Sequence, residues 1–212
     1  MDREEHWSAV YRNKSSQEVS WYRPHLETSL GLIERNAATK DCAVLDVGGG
    51  ASTLVDDLLL AGYSDVTVLD VADAALEESR RRLGEAAGRV HWMSVDFLAT
   101  PLEAERYGIC HDRAVFHFLN TEQERQAYFA QVWRALRPDG VLIVATFALD
   151  GPERCSGLPV TRYDEEKMQA AAGKGFEMVE VRRENHDTPK GDVQKMMYFV
   201  LRRDVASPFV SS

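Results

Sequence analysis

Two carboxylates and three glycines carry the first chemical signal in this chain. Val44-Leu45-Asp46-Val47-Gly48-Gly49-Gly50-Ala51 reads as a buried strand that breaks into a glycine turn and then opens a helix. Such a turn lets backbone approach a ligand, because no Cβ intervenes and positive φ costs little. A dinucleotide site would show G-x-G-x-x-G, with a pyrophosphate at the helix N-terminus. Here Thr53 takes the third glycine's place, and Asp46 lies two residues before Gly48. A carboxylate at the strand tip repels a pyrophosphate and suits a positively charged group, such as an ammonium or a sulfonium. Asp70 ends the run Val66-Thr67-Val68-Leu69, at about the 20-residue spacing from which an acid accepts both hydroxyls of a ribose.

Glycine turn, acid before it and ribose acid after it together fit S-adenosylmethionine better than a nicotinamide dinucleotide. Residues 44–147 resemble a class I S-adenosylmethionine-dependent methyltransferase, and five segments in order carry the likeness. Asp46, Gly48, Gly49 and Gly50 resemble the family's first motif, and Asp70 with Val71 its ribose site. Asp96-Phe97 resembles the acidic motif at the adenine amine. His111-Asp112-Arg113 and His117-Phe118 resemble the segment after the fourth strand, and Arg137-Pro138-Asp139-Gly140 the turn before the fifth. Asp112-Arg113 is similar to the thiopurine methyltransferase-like branch and its protein-lysine relatives. The chain departs from the family at Gly108, where an acid is common, and at Ser52, a frequent small-residue position. The resemblance implies S-adenosyl-L-methionine as cofactor. It also implies an α/β, doubly wound, seven-stranded, mostly parallel sheet with an antiparallel C-terminal hairpin.

Methyl transfer from a sulfonium needs mainly alignment and exclusion of water, with a base only where the acceptor still holds a proton. Asp112 is expected at the carboxyl end of the fourth strand, beside the methionine moiety or the acceptor. Arg113 either pairs with it or binds an anionic acceptor group. His117 is the candidate general base, its ordinary pKa being near 6.5. These three form the candidate catalytic set. The plainer alternatives are a structural Arg–carboxylate pair and a hydrogen-bonded core histidine. Trp7 and Tyr11 are four residues apart and share a helical face, so residues 1–22 read as an aromatic lid or as a helix packed on the domain. Trp21 is assigned to the cofactor side, and Tyr11, Tyr22 and His186 to the acceptor. No metal is expected, because His91, His111 and His117 lack ligand spacing and Cys110 and His111 alternate along one strand.

The elements that must position these groups alternate strand and helix. Strands are predicted at 44–47, 66–69, 90–95, 107–112 and 141–147. Helices are predicted from Arg23-Pro24 to Asn36, at 52–60 before Gly62, at 72–84, and from the capping box of Thr121 and Glu124 to residue 136. A loop at 148–163, a helix capped by Asp164 and a hairpin of strands 176–185 and 193–202 complete one domain spanning 1–212. Its parts are the lid, a cofactor core at 44–147, and a substrate loop with hairpin at 148–203. Hydrophobic residues are 44% and charged residues 28%, a globular balance. The net charge of -9 disfavours nucleic-acid partners, which bind basic faces. No apolar run approaches the roughly 18 residues of a membrane helix, and Met1-Asp2-Arg3-Glu4-Glu5 does not open a signal peptide. Cys42, Cys110 and Cys155 are scattered and read as reduced thiols, hence a cytoplasmic protein. The expected acceptor is a small molecule, methylated on sulfur, nitrogen or oxygen, and a closed aromatic lid would suit it. An open acidic trough would suit the alternative, a protein lysine. A second alternative is a non-catalytic cofactor-binding module.

Overall fold

The computed structural model describes residues 3–13 and 17–205 of the chain. The chain begins with α1 (Arg3–Asn13) and α2 (Glu27–Asn36), then alternates β1 (Val44–Val47), α3 (Leu54–Leu60), β2 (Val66–Asp70), α4 (Asp73–Leu83) and β3 (Val90–Ser94). β4 (Tyr107–Arg113), α5 (Glu122–Ala135) and β5 (Leu136–Phe147) follow, then a ribbon of β6 (Arg154–Cys155) and β7 (Leu158–Pro159). α6 (Glu165–Ala172), β8 (Phe176–Asp187) and β9 (Val193–Arg203) end it. β1 and β2 are buried along their whole length and β4 as far as Asp112, as parallel strands covered on both faces must be. The seven-stranded sheet runs β3-β2-β1-β4-β5-β9-β8. β1 to β5 pair in parallel, and β9 lies antiparallel between β5 and β8. This is the doubly wound sheet with a C-terminal hairpin that the sequence predicts. Leu32, Ile33, Leu54 and Leu58 belong to one packed core, and Tyr128, Phe129, Val132 and Met168 to the other.

Several boundaries differ from the sequence reading, each for a local reason. α2 starts at Glu27 and not at Arg23-Pro24, because the Asp57 carboxylate takes the Leu26 N–H at 3.1 Å and holds Leu26 out of helical geometry. α3 starts at Leu54, whose N–H donates to Ser52 Oγ at 3.2 Å. It ends as predicted at Gly62. Gly62 N–H donates to Leu59 O and Tyr63 N–H to Leu58 O, the paired bonds that close a helix on a left-handed glycine. β5 reaches back to Leu136, with Arg137-Pro138-Asp139-Gly140 forming an irregularity inside the strand. The 148–163 loop contains the β6–β7 ribbon. The capping box at Thr121 and Glu124 and the Asp164 cap are both formed.

The strand order reverses between β1 and β4, and their register sets Val47 beside both Leu69 and Asp112. Gly48, Asp70 and Arg113 therefore emerge together at the carboxyl edge, where a doubly wound sheet opens a crevice. α1 lies over this edge, with Trp7 and Tyr11 packed on Ala51, Ala72 and Ala75. Among the described residues, no helix is long and apolar enough to cross a membrane.

Candidate active site

The crevice encloses a cavity of about 240 Å3 between the strand ends and α1. Gly48 of the glycine turn lines it. Gly48 and Gly50 have φ of +67° and +35°. A Cβ on Gly48 would sit 2.0 Å from Val115 Cγ2, and one on Gly50 would sit 2.6 Å from Asp70 Oδ2. Gly49 is equally tight against Asp46 Oδ2, at 2.5 Å. The N–H groups of Gly48 and Gly49 both donate to Leu69 O, which ties the turn to the end of β2.

Asp70 ends β2 and lines the cavity beside Val71. Its Oδ1 accepts the Ala72 N–H at 2.8 Å. Burial, reinforced by the Asp46 charge, pushes its carboxyl up to about 7. Asp96 and Phe97 line the far end. Asp96 Oδ1 accepts the Leu98 N–H at 2.8 Å, and Arg3 of α1 lies 3.8 Å from Oδ2. Phe97 packs against Tyr128, ring centroids 5.2 Å apart. The roof is aromatic. Trp7 stands edge-on to Phe118 and to Trp21, at 5.1 and 5.9 Å, and Tyr11 completes the roof. Arg3 also pairs with Glu124, the capping-box acid of α5.

Seven residues expected at the site, Asp46, Gly49, Gly50, Asp112, His117, His186 and Tyr22, do not line this cavity, and strand geometry explains the two acids. Asp46 and His111 are register partners on adjacent strands, so their side chains share a face. Asp46 Oδ1 lies 2.7 Å from His111 Nδ1, buried beneath the turn instead of facing a ligand. Asp112 does not pair with Arg113, because neighbours on a strand point to opposite faces. Asp112 instead accepts the N–H groups of Val115 and Phe116 at 2.9 and 3.1 Å and the Tyr128 hydroxyl at 2.8 Å. It is a fully buried brace for the following turn, its carboxyl pushed by burial up to about 6. His117 is fully buried between the rings of Phe118 and Phe147, away from the cavity. Burial, with the Arg113 charge behind it, pushes its imidazole down to about 3. His186 is also buried, with Nε2 2.7 Å from the Ser20 carbonyl, so it supports the chain leading to Trp21 and not an acceptor. Tyr22 lies outside the main cavity, against a smaller one that Trp21 and Arg113 also line.

Arg113 lines the main cavity, while its Nε donates to the Tyr198 hydroxyl at 3.1 Å and its Nη1 to the Trp21 carbonyl at 3.0 Å. His111 Nε2 lies 3.0 Å from Ser29 Oγ. Asp46, His111 and Ser29 thus share the connectivity of a hydrolase relay, but all three are buried away from the cavity and no substrate reaches the hydroxyl. No group of three or more metal-ligating side chains occurs among the described residues. Sequence reasoning missed Val115, which fills the space above Gly48, and the Leu158-Pro159 wall supplied by the ribbon. Neither has a motif, and only the fold brings them to the site.

The cavity fits S-adenosylmethionine: a cradle that only glycine leaves open, a carboxylate at the end of β2 and a second one beside an aromatic ring. Residues 44–140 match the family model described as "Methyltransferase domain". The chain is 21% identical to Homo sapiens EEF1A lysine methyltransferase 2 over 190 residues, 83% of this chain and 75% of that one. A solved chain from work on the conversion of a disulfide bond into a thioacetal group during echinomycin biosynthesis superposes with a TM-score of 0.79. It is 19% identical, over 97% of this chain and 95% of that one. Burkholderia thailandensis 1,6-didemethyltoxoflavin-N1-methyltransferase, solved with 1,6-didemethyltoxoflavin and S-adenosylhomocysteine, superposes at 0.67. It is 21% identical, over 94% and 83% of the two chains. Matched domain, sheet order and glycine cradle together identify residues 44–140 as an S-adenosylmethionine-dependent methyltransferase domain.

Proposed function

We propose that this enzyme methylates a heteroatom of a small molecule that enters beneath α1. The observation that carries the reading is the roof: Trp7 and Tyr11 of α1, with Trp21 and Phe118, cover the cavity from the side of α1. A chamber roofed by aromatic rings suits a compact acceptor whose apolar surface is partly removed from water. In this reading Gly48 and its turn take the methionine end, Asp70 and Val71 the ribose, and Asp96 and Phe97 the adenine. Bound S-adenosylmethionine supplies an already activated methyl group on a sulfonium. The protein's part is to align the acceptor against it and to exclude water. Asp112 and His117 are packed structural groups here, and Arg113 and Trp21 shape the wall. Residues 3–205 act as one unit in this proposal, and a cytoplasmic setting fits three buried cysteines that form no disulfide.

A second reading, methylation of a protein lysine, is supported by the likeness to a protein of that name. It requires α1 to swing away and expose the chamber. Calorimetric titration of S-adenosylmethionine and S-adenosylhomocysteine into wild type and Asp70→Ala tests the cofactor assignment. Micromolar binding, weakened at least tenfold in the variant, is expected. Counting methyl transfer to a set of small heteroaromatic amines, phenols and thiols against a lysine peptide then tests the acceptor. Transfer to the peptide alone would overturn the small-molecule reading.

A further inference from the structure

The wall of the acceptor chamber is held from the far side of the molecule. The segment bearing Trp21 has no regular structure of its own, yet anchors at Ser20, Trp21 and Arg23 fix it. His186 on β8 lies 2.7 Å from the Ser20 carbonyl through Nε2. Arg113 at the end of β4 donates to the Trp21 carbonyl at 3.0 Å. Glu184 on β8, two residues from His186 and so on the same face of the strand, lies 3.3 Å from Arg23. Glu184 is also 3.9 Å from Arg113.

Arg113 is itself held. Its Nε donates to the Tyr198 hydroxyl on β9 at 3.1 Å, and that hydroxyl lies 3.4 Å from Ser29 Oγ on α2. Ser29 meets His111 Nε2 at 3.0 Å, and His111 Nδ1 meets Asp46 Oδ1 at 2.7 Å. An unbroken buried polar chain therefore runs from beneath the glycine turn, through α2 and β9, to the backbone of Trp21. Buried polar groups of this kind are costly when unpaired, so each link is under pressure to keep its geometry. Trp21 and Arg113 also line both the main cavity and the small neighbouring one, so together they form the partition between the two.

We propose that Arg113 is a positioning residue for the Trp21 partition, and that the chain Asp46–His111–Ser29–Tyr198 sets its place from the glycine-turn strand. The proposal rests on the methyltransferase reading in one respect: it makes cofactor binding above the turn and placement of the acceptor wall two ends of one device. It assigns roles to Ser29, His111 and Tyr198, none of which lines the cavity.

Tyr198→Phe tests this with minimal damage, since it removes one hydroxyl and keeps the ring. The first readout is hydrogen exchange of the unliganded protein. Exchange over residues 19–23 should rise at least fivefold in Tyr198→Phe and in Arg113→Gln, with β1 and β2 unchanged. The second is S-adenosylhomocysteine affinity in a double-mutant cycle with Trp21→Phe and Trp21→Ala. Tyr198→Phe should weaken binding three- to tenfold with Trp21 present and less than twofold with Trp21→Ala, because the partition it positions is gone. Unchanged exchange at 19–23, or equal losses in the two Trp21 backgrounds, would overturn the proposal. If wild type itself fails to bind S-adenosylhomocysteine, the functional reading falls, while the exchange measurement still decides whether Arg113 holds the wall.

Discussion

Gly48 is where one atom decides the site. Its φ of +67° disfavours any side chain, and a Cβ there would overlap Val115 Cγ2 at 2.0 Å. Gly48→Ala should lower stability by about 1–3 kcal/mol and S-adenosylhomocysteine affinity more than tenfold. Gly48→Ala with Val115→Ala should recover part of the affinity, measured by calorimetry, because it removes the overlap and leaves only the backbone cost. Asp70 makes the site sensitive to pH. Its folded-state carboxyl titrates near 7 and its ordinary value is 3.8. The folded empty protein therefore binds this proton more tightly than the unfolded chain, and its contribution to stability falls as pH rises from about 4 to about 7. Ribose hydroxyls donate to the ionised form, so cofactor affinity should climb as pH rises through 7 and level off above 8. Titrations from pH 5.5 to 8.5 should show that climb in wild type and a flat profile in Asp70→Asn; a flat wild-type profile would count against Asp70 as the ribose acid. Residue types and spacing made Asp70 and the glycines legible, because each sits at a strand end. Asp46, Asp112, His117 and His186 were not legible in the same way. For Asp46 and Asp112 the direction depends on strand parity and on a register partner far away in sequence, while His117 lies in a short helical turn and His186 is turned to Ser20.

At the scale of elements, α1 is held over the chamber mostly by apolar packing and ring contacts. Its aromatic residues pack on three alanines, and its Arg3 pairs with Glu124 and approaches Asp96. Arg3 and Glu124 are 38% and 30% exposed, so their pairing contributes about 1 kcal/mol or less, enough to bias a lid without locking it. Arg3→Gln should raise hydrogen exchange across α1 two- to fivefold and speed S-adenosylhomocysteine release by a similar factor in stopped-flow fluorescence. The melting temperature should move by less than about 3 °C, since the pair is exposed. The helix was legible from the four-residue spacing of Trp7 and Tyr11. What it covers was not, because the alanines it meets lie on the glycine turn and α4. Elements with continuous apolar runs, β1, β2 and β4, were read nearly to the residue. The starts of α2 and β5 were not. One is fixed by Asp57, from another helix, and the other lies behind a proline-containing irregularity that looks like a turn when read locally.

The whole molecule divides its labour between a parallel half and a closing hairpin. β9 is not an edge strand. It fills the sheet between β5 and β8 and buries Phe199, Val200 and Leu201. A chain ending at residue 187 should therefore expose the flank of β5 and elute as aggregate in size-exclusion chromatography. A chain lacking residues 3–13 should stay monodisperse and melt cooperatively, with cofactor affinity reduced at least fivefold. Alternation of strand and helix made the parallel half plain in the sequence, and the Pro-Lys-Gly-Asp turn between two strand-like runs announced the hairpin. That the hairpin reaches across to the first thirty residues was not announced, since no local pattern encodes a contact between Ser20 and His186.

That contact has a consequence in time. His186 and Ser20 are 166 positions apart, and Tyr198 is 169 positions from Ser29. During synthesis the glycine cradle can assemble once β5 has left the ribosome, because its supporting strands are all in hand by then. The Trp21 partition must wait for β8 and β9, which are made after the cradle. A nascent chain therefore acquires a place for the cofactor before it acquires a finished chamber for the acceptor, and the order of translation delays the one step that needs both.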